Sequence, residues 1–427
     1  MSAPHLHELQ RLRAENEQLK AELASKQHQP RQNDVKSYKG LSFEEHRRYG
    51  RQMIVSEFGS LQSQLKLKQC RTLVVGAGGL GCPSLMYLVG AGVGTIGIVD
   101  DDVVDETNLH RQVLHSTTSV GRLKCESAKS YLQTLNPNVN ITTYPVRLSN
   151  KNAFEIFAHF DLVLDCTDAP ASRYLINDVA VYFNIPVVSG SGLRTEGQLS
   201  VFNYENGPCY RCFYPDPPPA NSVTSCSEGG VLGPVIGLLG TAMAVEAIKV
   251  ITGFYHDNFK PFLTMYSAYP QQTFRVFKMR GRQKTCLCNH ITKQAIESID
   301  YSEFCGTLGP VNVLSDEHRI SVHDYNSARN SDHVLVDVRP KEQFEVSTFP
   351  GAVNIPWDSV LSKTTTIDNI DNVDNVELEK PIYVVCRYGN DSQLATKKLL
   401  EMGYNAKDIR GGVSRWYAEV DQNIPFY

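Results

Sequence analysis

Cys386 stands directly after the apolar run Ile382-Tyr383-Val384-Val385 and opens the segment Cys386-Arg387-Tyr388-Gly389-Asn390-Asp391-Ser392, behind which a helical pattern begins. A thiol at the mouth of a strand, enclosed by a short loop and a helix start, is placed for sulfur chemistry. Successive backbone N–H groups in such a loop form an anion-binding nest suited to a thiolate or persulfide, and Gly389 supplies the backbone angles the turn needs. A second chemistry-bearing stretch lies far upstream. Gly76-Ala77-Gly78-Gly79-Leu80-Gly81 follows a predicted strand and opens a helix, so that backbone N–H groups can approach phosphate at the helix N-terminus. Asp100 ends the next strand, about twenty residues on, where an acid can hydrogen-bond a ribose hydroxyl. Nucleotide binding and thiol chemistry in one chain point to their being coupled.

The glycine loop alone fits a dinucleotide-dependent oxidoreductase, fused here to a sulfur-handling segment, about as well as an ATP enzyme. The residues that follow change the balance. Asn108-Leu109-His110-Arg111-Gln112 leads to Gly121-Arg122-Leu123-Lys124, and Asp168 closes Asp165-Cys166-Thr167-Asp168. Each is, singly, most simply a surface charge. As a set behind a glycine loop, two cations and an acid at successive strand ends suit a triphosphate and its Mg²⁺ better than a nicotinamide.

Eleven cysteines in 427 residues are too scattered for a secreted disulfide scaffold. Cys209-Tyr210-Arg211-Cys212 has the spacing that lets two thiolates share one tetrahedral ion, and Cys286-Leu287-Cys288 is the candidate second pair; buried apolar residues or a redox pair is the plainer alternative. Cys226 lies between the run Pro215-Asp216-Pro217-Pro218-Pro219 and Gly229-Gly230, a loop ill suited to a merely structural cysteine, and close enough to a helix start to favour its thiolate. Cys70, Cys82, Cys125, Cys166 and Cys305 sit in or beside apolar segments and read as packing residues.

The elements that must position these groups form two α/β patterns. In the first, short runs at 71–75, 95–99, 161–165 and 186–189 centre on consecutive apolar residues, as suits strands of a parallel sheet covered on both faces, and 233–252 reads as a buried helix with Pro234 in its first turn. In the second, strands at 334–336 and 382–385 precede a helix at 393–402. Residues 6–26 form a charged helix with Leu9, Leu12, Asn16, Leu19 and Leu23 on one seam, too short to be stable alone. The acidic repeat within 362–380 reads as a surface insertion. The boundaries are therefore 1–39 for the N-terminal helix and linker, 40–290 for the nucleotide domain, 291–316 for a linker and 317–427 for the thiol domain. With 42 Lys+Arg against 46 Asp+Glu, no nucleic-acid groove or membrane-binding face is indicated, and a polar N-terminus argues against a signal peptide. The expectation is a cytoplasmic protein.

The runs GAGGLGCPS, NLHRQ, GRLKCESA, LVLDCTD, EGQL, CYRC and AMAVEAIK resemble the adenylating domain of ubiquitin-activating-type enzymes, and most closely the molybdopterin-synthase sulfurylases and their eukaryotic relatives. Asp337-Val338-Arg339, Gly351 to Pro356 and Gly411 to Trp416 resemble a rhodanese domain. A cysteine phosphatase would need Arg where Ser392 stands. The resemblance implies a Rossmann-like fold with a C-terminal rhodanese domain. It also implies ATP-dependent adenylation of the C-terminal glycine of a ubiquitin-like sulfur carrier, followed by persulfide transfer to give a thiocarboxylate. That product would serve tRNA wobble-uridine thiolation and protein conjugation, with molybdopterin synthase a further client in some organisms.

Residue by residue, the resemblance puts Gly76, Gly78, Gly79 and Gly81 around the phosphates with Asn108 and Gln112, Asp100 on the ribose, and Arg111 and Lys124 on phosphate oxygens. Asp168 would stand at the metal or reacting phosphate; the residue after it is Ala169, where many relatives carry Asn. Arg51 would reach the nucleotide of a partner subunit, which implies a homodimer. Cys226 would attack the acyl-adenylate or resolve the sulfur intermediate, and Cys386 would carry the persulfide, loaded by a cysteine desulfurase or other donor. Cys209, Cys212, Cys286 and Cys288 would hold one structural Zn²⁺; because the second pair is one residue tighter than the family's, His290 stands as an alternative to Cys288.

Overall fold

The computed structural model describes residues 37–218, 229–256, 258–306, 312–357 and 380–425. The 6–26 helix, Cys226 and the acidic repeat at 368–376 lie outside the described residues. The chain divides into two compact units, the first ending at Ile299 and the second beginning at Asp300. The stretch read as a linker holds two short helices, Lys293–Ser298 and Tyr301–Phe304, and the division falls between them.

In the first unit, helix α1 (Phe43–Met53) is started by a capping box: Ser42 Oγ accepts from the Glu45 N–H at 3.1 Å while the Glu45 carboxylate accepts from the Ser42 N–H at 2.7 Å. Helix α2 (Ser60–Gln69) leads into β1 (Arg71–Val75). There follow α3 (Gly81–Ala91), β2 (Thr95–Val99), α4 (Lys124–Leu135), β3 (Asn140–Tyr144), β4 (Leu162–Asp165), α5 (Pro170–Tyr182), β5 (Val187–Leu193), β6 (Glu196–Phe202), α6 (Gly233–Thr252), β7 (Phe262–Ser267) and β8 (Thr273–Lys278). The strands form one sheet in the order β8-β7-β6-β5-β4-β1-β2-β3. The run from β3 to β5 is parallel, and β5 to β8 pair antiparallel.

Burial explains which strands the sequence announces. Leu73, Val74, Ile96, Ile98, Val163 and Leu164 are fully buried, so the centres of their runs are apolar. The antiparallel strands β6 to β8 were not foreseen. β8 is an edge strand with Phe274, Val276 and Phe277 exposed, and its pattern carries no continuous buried run. Among the described residues α6 alone has the length and hydropathy to cross a membrane, but Val235, Leu239, Met243 and Ala247 are buried in the core. It crosses α3 closely enough for Ser84 Oγ to donate to the Gly240 carbonyl at 2.8 Å.

The second unit contains β9 (Arg319–Ile320), α7 (Val322–Ala328), β10 (Val334–Asp337), α8 (Lys341–Val346), β11 (Ala352–Asn354), β12 (Ile382–Val385), α9 (Asp391–Glu401), β13 (Ala406–Ile409) and α10 (Gly412–Glu419). Its sheet is parallel throughout, in the order β9-β13-β12-β10-β11. On one face Trp416 is fully buried, with Phe349 and Tyr325 edge-on at 5.0 and 5.7 Å.

One buried ion pair fixes the turn that carries Cys209 and Cys212. Asp178 on α5 receives two parallel hydrogen bonds from Arg211, at 2.7 Å each, and the guanidinium lies 4.7 Å from the Tyr174 ring. Arg211 belongs to the one-turn helix Tyr210–Phe213 between Cys209 and Cys212, so the pair ties that turn to α5. Deleting one partner strands the other charge in a buried site. Asp178→Ala should therefore destabilise the first unit by about 3–5 kcal/mol in urea unfolding. A loss below about 1 kcal/mol would mean the pair contributes no more than a surface bridge.

Candidate functional site

In a parallel sheet every strand ends on the same edge, and the loops leaving that edge form a crevice. β1 ends there in the glycine turn, β2 in Asp100 and β4 in Asp165 to Asp168. The turn is tight enough that a Cβ on Gly81 would lie 1.9 Å from the Gly76 carbonyl oxygen, so any side chain would force the turn open.

Asp100 anchors this turn. Its carboxylate accepts from the Ala77 N–H at 2.7 Å and from the Asp102 N–H at 2.9 Å. Burial pushes its pKa up, against the Ala77 hydrogen bond and the nearby Lys124 charge. Lys124 is itself buried, at the start of α4, and its ammonium pairs with Asp102 at 2.7 Å. Arg111 lays its side-chain carbons against Gly79, while its guanidinium hydrogen-bonds Asn108 and meets His110 Nε2 at 2.7 Å. Gln112 is buried beside Gly78, and its Oε1 has no hydrogen-bond partner among the described residues. An orphaned buried acceptor at a glycine turn is what a site built around a polar ligand leaves behind.

Asp168 is exposed at the rim of this edge. Its loop is held by two residues to which the sequence assigned no role. Asp165 accepts from the Thr167 hydroxyl at 2.7 Å and the Ser189 hydroxyl at 2.8 Å, and buried Arg173 donates to the Thr167 and Gly190 carbonyls at 2.6 and 3.1 Å. Arg173 lies in the first turn of α5, and a charge in that largely buried helix is the sequence signal for it. Arg51 is exposed in the last turn of α1, and among the described residues no hydrogen bond or ion pair joins it to the glycine turn. Cys82 and Cys166 lie beneath the turn; burial pushes the Cys82 thiol up to about 12 and the Cys166 thiol higher, in keeping with packing roles.

The four cysteines read as a metal set come together. Their sulfurs all lie within 4.8 Å of one another, with Cys209 to Cys212, Cys209 to Cys286 and Cys212 to Cys288 each at 3.7 Å. Four thiolates at about 2.3 Å from one tetrahedral ion would stand about 3.8 Å apart, a spacing that the three pairs at 3.7 Å match. Cys288 is buried in the cluster, whereas His290 is exposed and outside it.

In the second unit Cys386 follows β12 at the carboxyl edge of its sheet. The turn brings Gly389, at φ +84°, so near Gly411 that a Cβ would lie 2.7 Å from the Gly411 nitrogen. Cys386 Sγ accepts from the Gly389 N–H at 3.1 Å and meets the Ser392 hydroxyl at 3.2 Å. The thiol is only 2% exposed, and burial raises its pKa more than the Ser392 and Gly389 hydrogen bonds lower it. The anion nest expected from the sequence is thus present in outline, but in the free protein it does not depress the thiol. Beside it, Asp337 and Arg339 form a fully buried pair at 2.6 Å that closes the adjacent strand end.

These two sites and folds define an adenylating α/β unit joined to a rhodanese-type unit: residues 49–288 match the ThiF family and residues 321–419 the rhodanese-like domain. The chain belongs to the bifunctional adenylyltransferase and sulfurtransferase family. It is 90% identical over 423 residues to the adenylyltransferase and sulfurtransferase UBA4 of Meyerozyma guilliermondii, covering 99% of this chain and 100% of that protein. The protein of the same name from Candida albicans is 53% identical over 444 residues, covering both chains fully at 100%. Among solved structures, E. coli MccB with MccA-N7isoASN superposes with a TM-score of 0.51 at 20% identity, over 60% of this chain and 75% of that one, a likeness of fold alone. Family membership decides for adenylation over the oxidoreductase alternative.

Proposed function

We propose that the chain adenylates the C-terminal glycine of a ubiquitin-like sulfur-carrier protein and converts it to a thiocarboxylate. The observation that carries this reading is the pairing, in one chain of this family, of a glycine turn bordered by an orphaned amide with a strand-end thiol in a nest. The turn's backbone N–H groups, Arg111 and Lys124 would draw charge from the phosphates of ATP, Gln112 and Asn108 would orient it, and Asp100 would hold both the turn and the ribose. Asp168 would hold Mg²⁺, which neutralises charge on the triphosphate. The carrier's carboxylate oxygen attacks the α-phosphorus, the bond to the β-phosphate breaks, and pyrophosphate leaves.

Cys226 then attacks the acyl-adenylate, releasing AMP and forming a thioester. Cys386, loaded by a persulfide donor such as a cysteine desulfurase, attacks that thioester through its terminal sulfur. The freed Cys226 thiolate attacks Cys386 Sγ, breaking the S–S bond; the thiocarboxylate leaves and a Cys226–Cys386 disulfide remains for a dithiol reductant. The thiocarboxylate would feed tRNA wobble-uridine thiolation in the cytoplasm, and Arg51 would complete the nucleotide site of a second copy in a homodimer. The four thiols at 209, 212, 286 and 288 would hold one Zn²⁺ that ties the 286–288 segment to the 209–212 turn.

ATP–pyrophosphate exchange should depend on a Gly-Gly-ended ubiquitin-like protein, and Asp168→Ala should lower it by about a hundredfold, the scale for losing transition-state charge stabilisation. Undiminished exchange in that variant would remove Asp168 from the metal site. Cys386→Ala should keep exchange and lose sulfur transfer; full sulfur transfer in it would end the persulfide role. Metal analysis of the purified chain should find about one zinc per chain, lost in Cys212→Ser together with thermal stability. Zinc-free protein of unchanged stability would leave the four thiols as packing residues.

A further inference from the structure

Behind Cys386 runs a line of buried polar groups that neither the nest nor the carrier chemistry requires. The Cys386 sulfur meets Ser392 Oγ at 3.2 Å, and Ser392 Oγ donates to Asp408 Oδ1 at 2.5 Å. The other carboxylate oxygen of Asp408 accepts from Arg319 Nε at 2.9 Å. Ser392 and Asp408 are both fully buried. The sheet register imposes this placement: Asp408 on β13 lies opposite Arg319 on β9 and opposite Val384 on β12, two residues before the thiol.

A hydroxyl has one proton. While Ser392 donates it to ionised Asp408, its oxygen can only accept from Cys386, an arrangement that favours the protonated thiol. If Asp408 takes that proton, Ser392 can turn its remaining proton, received from Cys386, toward the sulfur. The two states differ by one concerted shift along two short hydrogen bonds. We infer that Ser392 relays the Cys386 proton to Asp408, making Asp408 the positioning residue and proton acceptor that frees the thiolate for sulfur loading.

The step balances. The Sγ–H bond breaks as a new O–H bond forms at Ser392, and the former Ser392 proton forms an O–H bond at Asp408 Oδ1. The thiolate then keeps hydrogen bonds from Ser392 and from the Gly389 N–H. Its attack on the outer sulfur of a donor persulfide forms the Cys386 S–S bond. The donor leaves as a thiolate with the electron pair of its broken S–S bond and recovers a proton from water as Asp408 gives its own back.

The surroundings fit a carboxylate poised to accept. Burial raises the Asp408 pKa, against the hydrogen bonds from Ser392 and Arg319 and the charge of Arg410. Asp391, at the start of α9, opposes the thiolate by whichever route the proton leaves. Moving a proton from sulfur to Asp408 leaves the net charge of the site unchanged, whereas losing it to solvent would bury an additional anion.

The role in turnover rests on Cys386 being the sulfur carrier, but the relay itself is read from the thiol alone. Carbamidomethylation of Cys386 in the full chain, followed by peptide mass spectrometry from about pH 5 to pH 9, reports the thiolate fraction. For an unassisted thiol the rate falls about tenfold per pH unit below its pKa. The relay predicts that wild type and Ser392→Thr flatten toward acid pH, where the proton stays inside the site. Ser392→Ala and Asp408→Asn should fall with full slope and react about tenfold or more slowly near pH 6. Should Asp408→Asn fail to fold, the Ala and Thr variants of Ser392 decide alone. A full-slope wild type, flattening that survives in Ser392→Ala, or no labelling of Cys386 at any pH overturns the relay. Sulfur transfer lost in Cys386→Ala alongside a full-slope wild type would reject the relay and keep the carrier role.

Discussion

A parallel strand covered on both faces can offer chemistry only where it ends. The core strands of both units are of this kind: Leu73, Val74, Ile98 and Leu164 in the first, Val336, Val384 and Val385 in the second, all essentially without exposure. Their carboxyl ends lie on one edge of each sheet, and there the backbone must turn sharply to enter a helix. Gly81 and Gly389 make those turns, each where a Cβ would strike backbone atoms. The glycine turn at β1 and the Cys386 loop at β12 are two solutions to the same geometric demand, the first turning an N–H to the Asp100 carboxylate and the second to a sulfur.

Burial sets the electrostatics of both edges. Asp100, Cys386 and Asp408 are each disfavoured as anions by desolvation, and each is met by backbone N–H groups, a hydroxyl or a guanidinium that offsets part of that cost. The Asp178–Arg211 pair follows the same logic in a supporting role, since its two ions are tolerated in the core only because they satisfy one another. The four-thiol cluster that this pair flanks brings four sulfurs to distances a tetrahedral ion would set.

Much of this was legible in the sequence. Runs such as Thr95–Val99 and Ile382–Val385 announce buried parallel strands because nearly every residue in them is buried, and the 233–252 helix and the four-cysteine set follow from hydropathy and spacing. The antiparallel extension was not legible, because β8 alternates around an exposed edge and β6 contains Gly197 and polar residues. Arg173 and Asp408 escaped for a different reason. Each acts through partners distant in sequence, Gly190 for the one and Ser392 and Arg319 for the other, and only the sheet register brings those partners together. Ser392 was visible merely as the residue that is not a phosphatase arginine. The N–H donors of the Cys386 loop follow from its pattern, whereas the burial that opposes them does not.

The central claim is that a carboxylate activated in one unit is turned into a sulfur species by the thiols of the same chain. Intact-mass and C-terminal peptide mass spectrometry of a Gly-Gly-ended ubiquitin-like protein, after incubation with this chain, ATP, Mg²⁺, a persulfide donor and a dithiol reductant, tests it directly. The account predicts that the C-terminal glycine exchanges one oxygen for one sulfur, and that omitting ATP prevents this. A carrier that is adenylated but never gains sulfur, or that gains it without ATP, would contradict the account.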